Sequence, residues 1–301
     1  MKVVVTGSLG HISRPLAKEL IKKGHEVLIV TSSEQRKPEI EALGGKSAIG
    51  SVEDVDFLTA TFSGADVVYA MIPPDFSVPD IVARYTKIGN CYAKAILDSG
   101  VRKVVQLSSW GAHLPSGTGV IVGSYHVEQI LNKLDNVSIT YLRPTSFYYN
   151  LFHYMDMIKI AGFIGTNFGG DDKVSMVAPA DIAAAAVEEI EAADTGNRVR
   201  YVASDEHTCS EIAAILGAAI GKPDLKWMRF TDEQTQAAME KNHVPANVAA
   251  LLVEINAAIH SGLLAEDYNL NKPVLGRVKL GEFAKEFAAV FSAKSQQHDH
   301  L

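Results

Sequence analysis

Val3, Val4 and Val5 form an unbroken β-branched run that stops at Gly7 and Gly10 before apolar residues resume at helical spacing. A continuous apolar run suits a parallel strand covered on both faces. Over 14–23, Leu16, Ala17, Leu20 and Ile21 share one side and Lys18, Lys22 and Lys23 the other, so the pattern predicts a helix that Gly24 ends. Apolar runs return at 27–30, 46–49, 67–72, 104–108 and 139–142, with helical periodicity over 55–62, 81–99 and 125–134 between them. Further on, strands are predicted at 174–177, 199–203 and 227–230, and helices over 179–192, 210–221, 231–240, 246–260 and 280–291.

Strands that alternate with helices imply an α/β fold, a doubly wound parallel sheet of Rossmann type, because right-handed crossovers leave few other topologies. The expected division is a nucleotide-binding core over 1–150, a mixed segment over 151–292 that completes the sheet and forms a smaller, mostly helical C-terminal lobe, and a polar, disordered tail over 293–301. In such a sheet a ligand lies outside the carboxyl ends of the strands.

The turn after the first strand carries the first chemical signal. Amides that open a helix have no partner inside it, and the helix dipole adds positive charge there, so a pyrophosphate fits. Gly7, Ser8, Leu9, Gly10, His11 and Ile12 are its expected seat, with Ser13 as a small residue facing the strand. The spacing G-x-x-G-x-x-S also serves an ordinary turn; its place after the first strand favours a dinucleotide. At the second strand's end stand Thr31, Ser32 and Ser33, followed by Arg36, where an acid would mark NAD. Hydroxyls and a cation there favour NADP, against which Glu34 counts. Met71, Ile72 and Pro73, then Leu107, Ser108 and Ser109, then Pro144, Thr145, Ser146 and Phe147, end later strands and are expected to flank the ribose and nicotinamide. The run after Ser109, rich in Gly and Ser, reads as a mobile active-site loop. Phe147, Tyr148, Tyr149, Phe152 and Tyr154 either line a pocket for a flat substrate or form core.

Composition removes several classes. A net charge of −7, with no dense Lys/Arg run, argues against nucleic acid as a partner. No apolar run approaches the ~20 residues of a membrane span, and the N-terminus enters a strand without signal-peptide features, so no membrane association and a cytoplasmic location are expected. Cys91 and Cys209 are isolated and read as buried apolar residues, and Asp171 with Asp172 as a solvated turn, so no metal is expected.

VTGSLGHIS, GADVVYAMIPP, KVVQLSSWGAH and YLRPTSFYYN, followed by V-x-P-x-D-I-A-x-A over 177–185 and S-E-I-A-A-I-L over 210–216, give the chain its resemblance to the NmrA-like family. These are atypical members of the short-chain dehydrogenase/reductase superfamily. The resemblance implies an NAD(P)-binding fold and either an NADPH-dependent reductase, quinone reductases included, or a protein that binds NAD(P) to report redox state. It also implies a Tyr-x-x-x-Lys pair after the fifth strand, and here the chain departs: Tyr125 is followed four residues on by Gln129. Without lysine's charge, a tyrosine stays protonated near neutral pH and can donate but is a poor base. Tyr125 and His126 are the catalytic candidates, with His113 as a further histidine. The expected function is therefore an NAD(P)H-dependent oxidoreductase passing hydride to a small aromatic, quinone-like or carbonyl acceptor, held between the sheet's edge and the C-terminal helices. Its alternative is a non-catalytic NADP(H)-binding redox sensor with a protein partner.

Overall fold

The opening valines are fully buried in an interior strand of a seven-stranded sheet. The computed structural model describes residues 1–193 and 196–298. The chain runs β1 (Lys2–Val5), α1 (Ser13–Lys22), β2 (Glu26–Thr31), α2 (Lys37–Ala42), β3 (Lys46–Ile49), α3 (Val55–Phe62), β4 (Val67–Ala70), α4 (Ile81–Ser99), β5 (Lys103–Leu107), α5 (Ile121–Leu131) and β6 (Ser138–Pro144). It continues through β7 (Ser146–Phe147), α6 (Met155–Ala161), β8 (Ile164–Thr166), β9 (Lys173–Val177), α7 (Pro179–Glu191), β10 (Arg198–Val202), β11 (Asp205–Thr208) and α8 (Cys209–Ala219). The last elements are β12 (Trp227–Arg229), α9 (Asp232–Lys241), α10 (Ala246–His260), α11 (Ala265–Leu270) and α12 (Leu280–His298).

Two units divide these elements: residues 1–116, 120–144 and 182–201 form the first, and 117–119, 145–181 and 202 onward the second. In the first, the strand order is β10-β6-β5-β4-β1-β2-β3, and every pairing from β3 through β6 is parallel. The order reverses at β1, which lies between β2 and β4, so the topological switch falls at the glycine turn. On one face, Leu58, Phe62, Ile88, Tyr92 and Ile96 pack on Val4, Val68 and Val104. Helices α4 and α5 pack closely through two glycines. A Cβ on Gly123 would stand 2.7 Å from the Tyr85 ring, and one on Gly89 3.2 Å from Val127. The late return of residues 182–201 is tied down by Glu189, which accepts hydrogen bonds from Arg198, Arg200 and Thr140.

The second unit holds two small sheets, β11-β9-β7 and β12-β8, with the later helices. Of its aromatic run Tyr148 is buried, and Phe147, Tyr149, Phe152 and Tyr154 are half-buried. Tyr148 stacks on Phe283 at 5.3 Å, Phe152 on Phe287 at 5.8 Å, and Tyr154 meets Trp227 edge-on at 5.1 Å.

The segment after β5 is partly buried, at Trp110, Ala112 and Thr118, while Pro115 and Ser116 are exposed. One expectation needs correction. By length and composition the stretch Ala246–Leu270 is apolar enough to cross a membrane, contrary to the reading that none exists. It is broken by Gly262 at φ 79°, which leaves α10 at 15 residues, about 22 Å against a ~30 Å hydrocarbon core. Asn256 in α10 also donates to Thr166, and the Val253 carbonyl accepts from Asn167. The last helix runs on to His298, into the polar tail. Residues 299–301 of that tail lie outside the described residues.

Candidate functional site

Two successive residues of the glycine turn are left-handed, Gly7 at φ 89° and Ser8 at φ 55°. A Cβ on Gly7 would stand 2.6 Å from the Met71 sulfur and 2.7 Å from Ser13 Oγ, so both conformation and space demand glycine. Ser13 is the small residue expected here: it is buried, and its hydroxyl donates to the Thr6 carbonyl at 2.9 Å. Gly10 differs from Gly7: its φ is not positive, and a Cβ would meet only the Gly7 carbonyl at 3.2 Å. Leu9 and Ile12 are buried and anchor the turn, whereas Gly10 and His11 are exposed. The helix that follows, α1, has no side-chain cap and no acid in its first turn. By contrast, Asp54 and Asp80 cap α3 and α4. A helix start so equipped favours an anion from outside the chain.

The end of β2 adjoins this turn. Ser8 Oγ donates to Thr31 Oγ1 at 3.0 Å, the Ser8 amide donates to the Val30 carbonyl, and the Ser33 amide donates to Thr31 Oγ1. Thr31 is thus buried and engaged, while Ser32 is exposed. Arg36, expected to meet a phosphate, donates to Glu39 at 3.2 Å, and Arg14 bonds the same carboxylate. The acid that both arginines pair with is Glu39.

Beyond β4, Met71 is held by a buried polar clamp. Its amide donates to Thr6 Oγ1 at 2.8 Å, and its carbonyl accepts from Tyr92 at 2.6 Å. Burial pushes the Tyr92 hydroxyl well above the usual range, so it remains a donor. Ile72 is buried, and the Pro73 carbonyl accepts from Arg84, which also pairs with Glu53.

At the end of β5 stands a saturated network that sequence reasoning missed. Ser108 Oγ donates to Glu128 Oε1 at 2.5 Å. Arg143 Nε and Nη2 reach the two Glu128 oxygens at 3.0 and 2.6 Å, and Nη1 donates to Tyr201 at 3.3 Å. Both ion-pair side chains are buried, at 7% and 4% exposure. Because the serine proton is committed to a carboxylate, Ser108 presents lone pairs and can accept a hydrogen bond but not protonate a substrate. Leu107 and Ser109 are half-buried beside it, and the Pro144 carbonyl accepts from the Trp110 amide. Tyr125 and His126 lie half-buried on α5, their rings edge-to-face at 5.5 Å, whereas Gln129 is exposed.

Thr145, Ser146 and Phe147 belong to the second unit. There the Thr145 amide donates to the Val202 carbonyl, β7 pairs with β9, and Phe147 stacks on Tyr149 at 5.0 Å. Asp172 accepts from the Gly169 amide and pairs with His260 at 2.9 Å, a local structural role. Cys91 and Cys209 are buried free thiols, raised by that burial.

A parallel sheet in this order, with a glycine turn at its switch point, defines the Rossmann class of dinucleotide-binding folds. Within that class the chain belongs to the NmrA-like family, whose model matches residues 1–261. It is similar to an NAD(P)H azoreductase from Xenophilus azovorans, 28% identical over 297 residues, which are 97% of this chain and 99% of that relative. Two solved structures share its fold. A triphenylmethane reductase of Citrobacter sp., complexed with NADP(H), matches with a TM-score of 0.78 at 20% identity, over 95% of this chain and 99% of its own. An NADPH-dependent quinone oxidoreductase from Escherichia coli matches at 0.77 and 20%, again over 95% and 99%.

Proposed function

We propose that this protein is an NADPH-dependent oxidoreductase acting on small conjugated acceptors of aromatic, azo or quinone type. The observation that carries the reading is the left-handed pair Gly7–Ser8 running into a helix with no side-chain cap, packed so closely on Met71 and Ser13 that no Cβ fits. Residues 7–12 hold the pyrophosphate; Thr31, Ser32, Ser33 and Arg36 attend the adenosine ribose and its phosphate; Met71, Ile72, Pro73, Leu107, Ser108, Ser109 and Pro144 end strands on the nicotinamide side. When bound, NADPH supplies the hydride.

The rest of the chemistry is positional. Ser108, whose own proton is taken by Glu128, accepts a hydrogen bond from a hydroxyl or amide of the ligand. Tyr125 and His126 are the proton sources nearest in sequence to that network. An azo, quinone or triarylmethyl acceptor is already electrophilic, so it needs orientation more than acid help, which fits Gln129 in place of lysine. The three relatives named above support this acceptor class.

Gln129 also favours a second reading, a regulator that binds NADP(H) without turnover and answers to a protein partner. The experiment that separates them is a fluorescence titration with NADPH and NADH, followed by steady-state NADPH oxidation with azo dyes, triarylmethane dyes and quinones. Tighter NADPH binding with turnover of at least one acceptor is expected, and Tyr125→Phe or His126→Asn should reduce turnover more than binding. Binding without turnover across the panel favours the regulator, and preference for NADH rejects the cofactor assignment. A cytoplasmic location is part of the proposal, to be checked by cell fractionation.

A further inference from the structure

We propose that Glu39 is a built-in competitor for the cofactor's 2′-phosphate, holding Arg14 and Arg36 as an internal anion and so setting how strongly the site prefers NADPH to NADH. The inference rests on the reading that the nucleotide binds at the glycine turn.

Three elements bring the groups together. Arg14 lies in the first turn of α1, whose start faces the cradle; Arg36 ends the short turn after β2; Glu39 lies in the first turn of α2. One Glu39 oxygen accepts from Arg14 and the other from Arg36, at 3.2 Å for the latter. A carboxylate that takes one guanidinium on each oxygen occupies both as a phosphate would. The hydroxyl link between Ser8 and Thr31 binds the glycine turn to the strand end that precedes Arg36, so the triad flanks the place where this fold presents the adenosine ribose.

The triad is built to exchange partners. Arg14, Arg36 and Glu39 keep 42%, 50% and 40% of their side-chain surface exposed, so neither arginine is locked in the core. The hydrogen bond from Arg14, with the second from Arg36, holds the Glu39 carboxyl below its usual range, and it is an anion at any working pH. The neighbouring charges are Glu34 and the pair Lys37–Glu41, all on the solvent side.

With Glu39 in place the two arginines carry a net charge of one rather than two toward an incoming phosphate, and the carboxylate repels that phosphate. NADH brings a hydroxyl and leaves the triad undisturbed. Glu39 therefore selects against the phosphorylated cofactor without abolishing its binding.

The test measures Kd for NADPH and NADH in the wild type, Glu39→Gln, Arg14→Ala and the double variant, at low and moderate salt. Glu39→Gln should tighten NADPH about three- to tenfold with a steeper salt dependence, and leave NADH within about twofold. Arg14→Ala should weaken NADPH alone, and the gain from Glu39→Gln should shrink in the double variant. An unchanged NADPH-to-NADH ratio in Glu39→Gln, with the wild type binding normally, overturns the inference alone. Failure of the wild type to bind either nucleotide overturns the proposed function as well. Because all three side chains are half exposed, thermal melts of the variants should match the wild type, and a changed ratio then reports the ligand.

Discussion

The glycine turn after β1 and the serine end of β5 lie at the same edge of one sheet and are built in opposite ways. At the turn, polar capacity is left open: no side chain caps α1 and no acid sits in its first turn, while Gly7 packs directly against Met71 and Ser13. At Ser108 the capacity is filled, with a hydroxyl, a carboxylate, a guanidinium and a phenol bonded in series. An open helix start invites an anion. A closed network fixes one hydroxyl in one orientation, because each member would be costly to leave unpaired in the interior.

Breaking the closed end should have the larger effect. Arg143→Met leaves Glu128 buried without its cation and should cost about 3 to 5 kcal/mol in urea unfolding, with much of that recovered by Glu128→Met in the same chain. A loss below about 1 kcal/mol would mean that the network is looser than the hydrogen bonds describe.

The open end breaks through shape. Gly7→Ala forces a side chain into the left-handed region and against Met71 and Ser13, so about 2 to 3 kcal/mol of stability and most nucleotide binding should be lost. Gly10→Ala provides the contrast: its ordinary φ and single 3.2 Å contact predict a change within about 1 kcal/mol. Equal effects at the two positions would contradict the geometry.

The smallest effect is in acid. Burial works to raise the Glu189 carboxyl, and the hydrogen bonds from Arg198 and Arg200 overcome it and hold the group below its usual range. A depressed folded pKa contributes stability above the unfolded value of about 4.3, lost as pH falls through the lower folded value. Glu189→Gln should therefore be less stable than wild type at neutral pH, with the gap closing below about pH 4. The glycine turn, from Gly7 to Gly10, holds no titrating side chain and adds no term of this kind.

Gly7 is legible in the sequence because a glycine between a valine run and a helix has one economical use. Ser8 is not, since serine is seldom left-handed and nothing in its neighbours marks it. Glu128 hides for another reason. Beside Gln129 it resembles a solvated helix face, and its partner Arg143 lies 15 residues away on a strand. Glu39 escapes notice in the same manner, because its two arginines come from separate elements. The aromatic run from Phe147 reads equally as pocket or core. The ring partners of Tyr148, Phe152 and Tyr154 are Phe283, Phe287 and Trp227, far along the chain, and nothing in the local sequence announces them.

The close seating of α4 against α5 reaches further than packing. Gly89 and Gly123 act as spacers of zero thickness, and Glu128 rides the same helix one position beyond Val127, which touches Gly89. Whatever thickens that seam shifts the carboxylate that receives the Ser108 proton. A lone methyl group at position 123, where no nucleotide is expected to reach, would then register at the strand end as a serine aimed the wrong way.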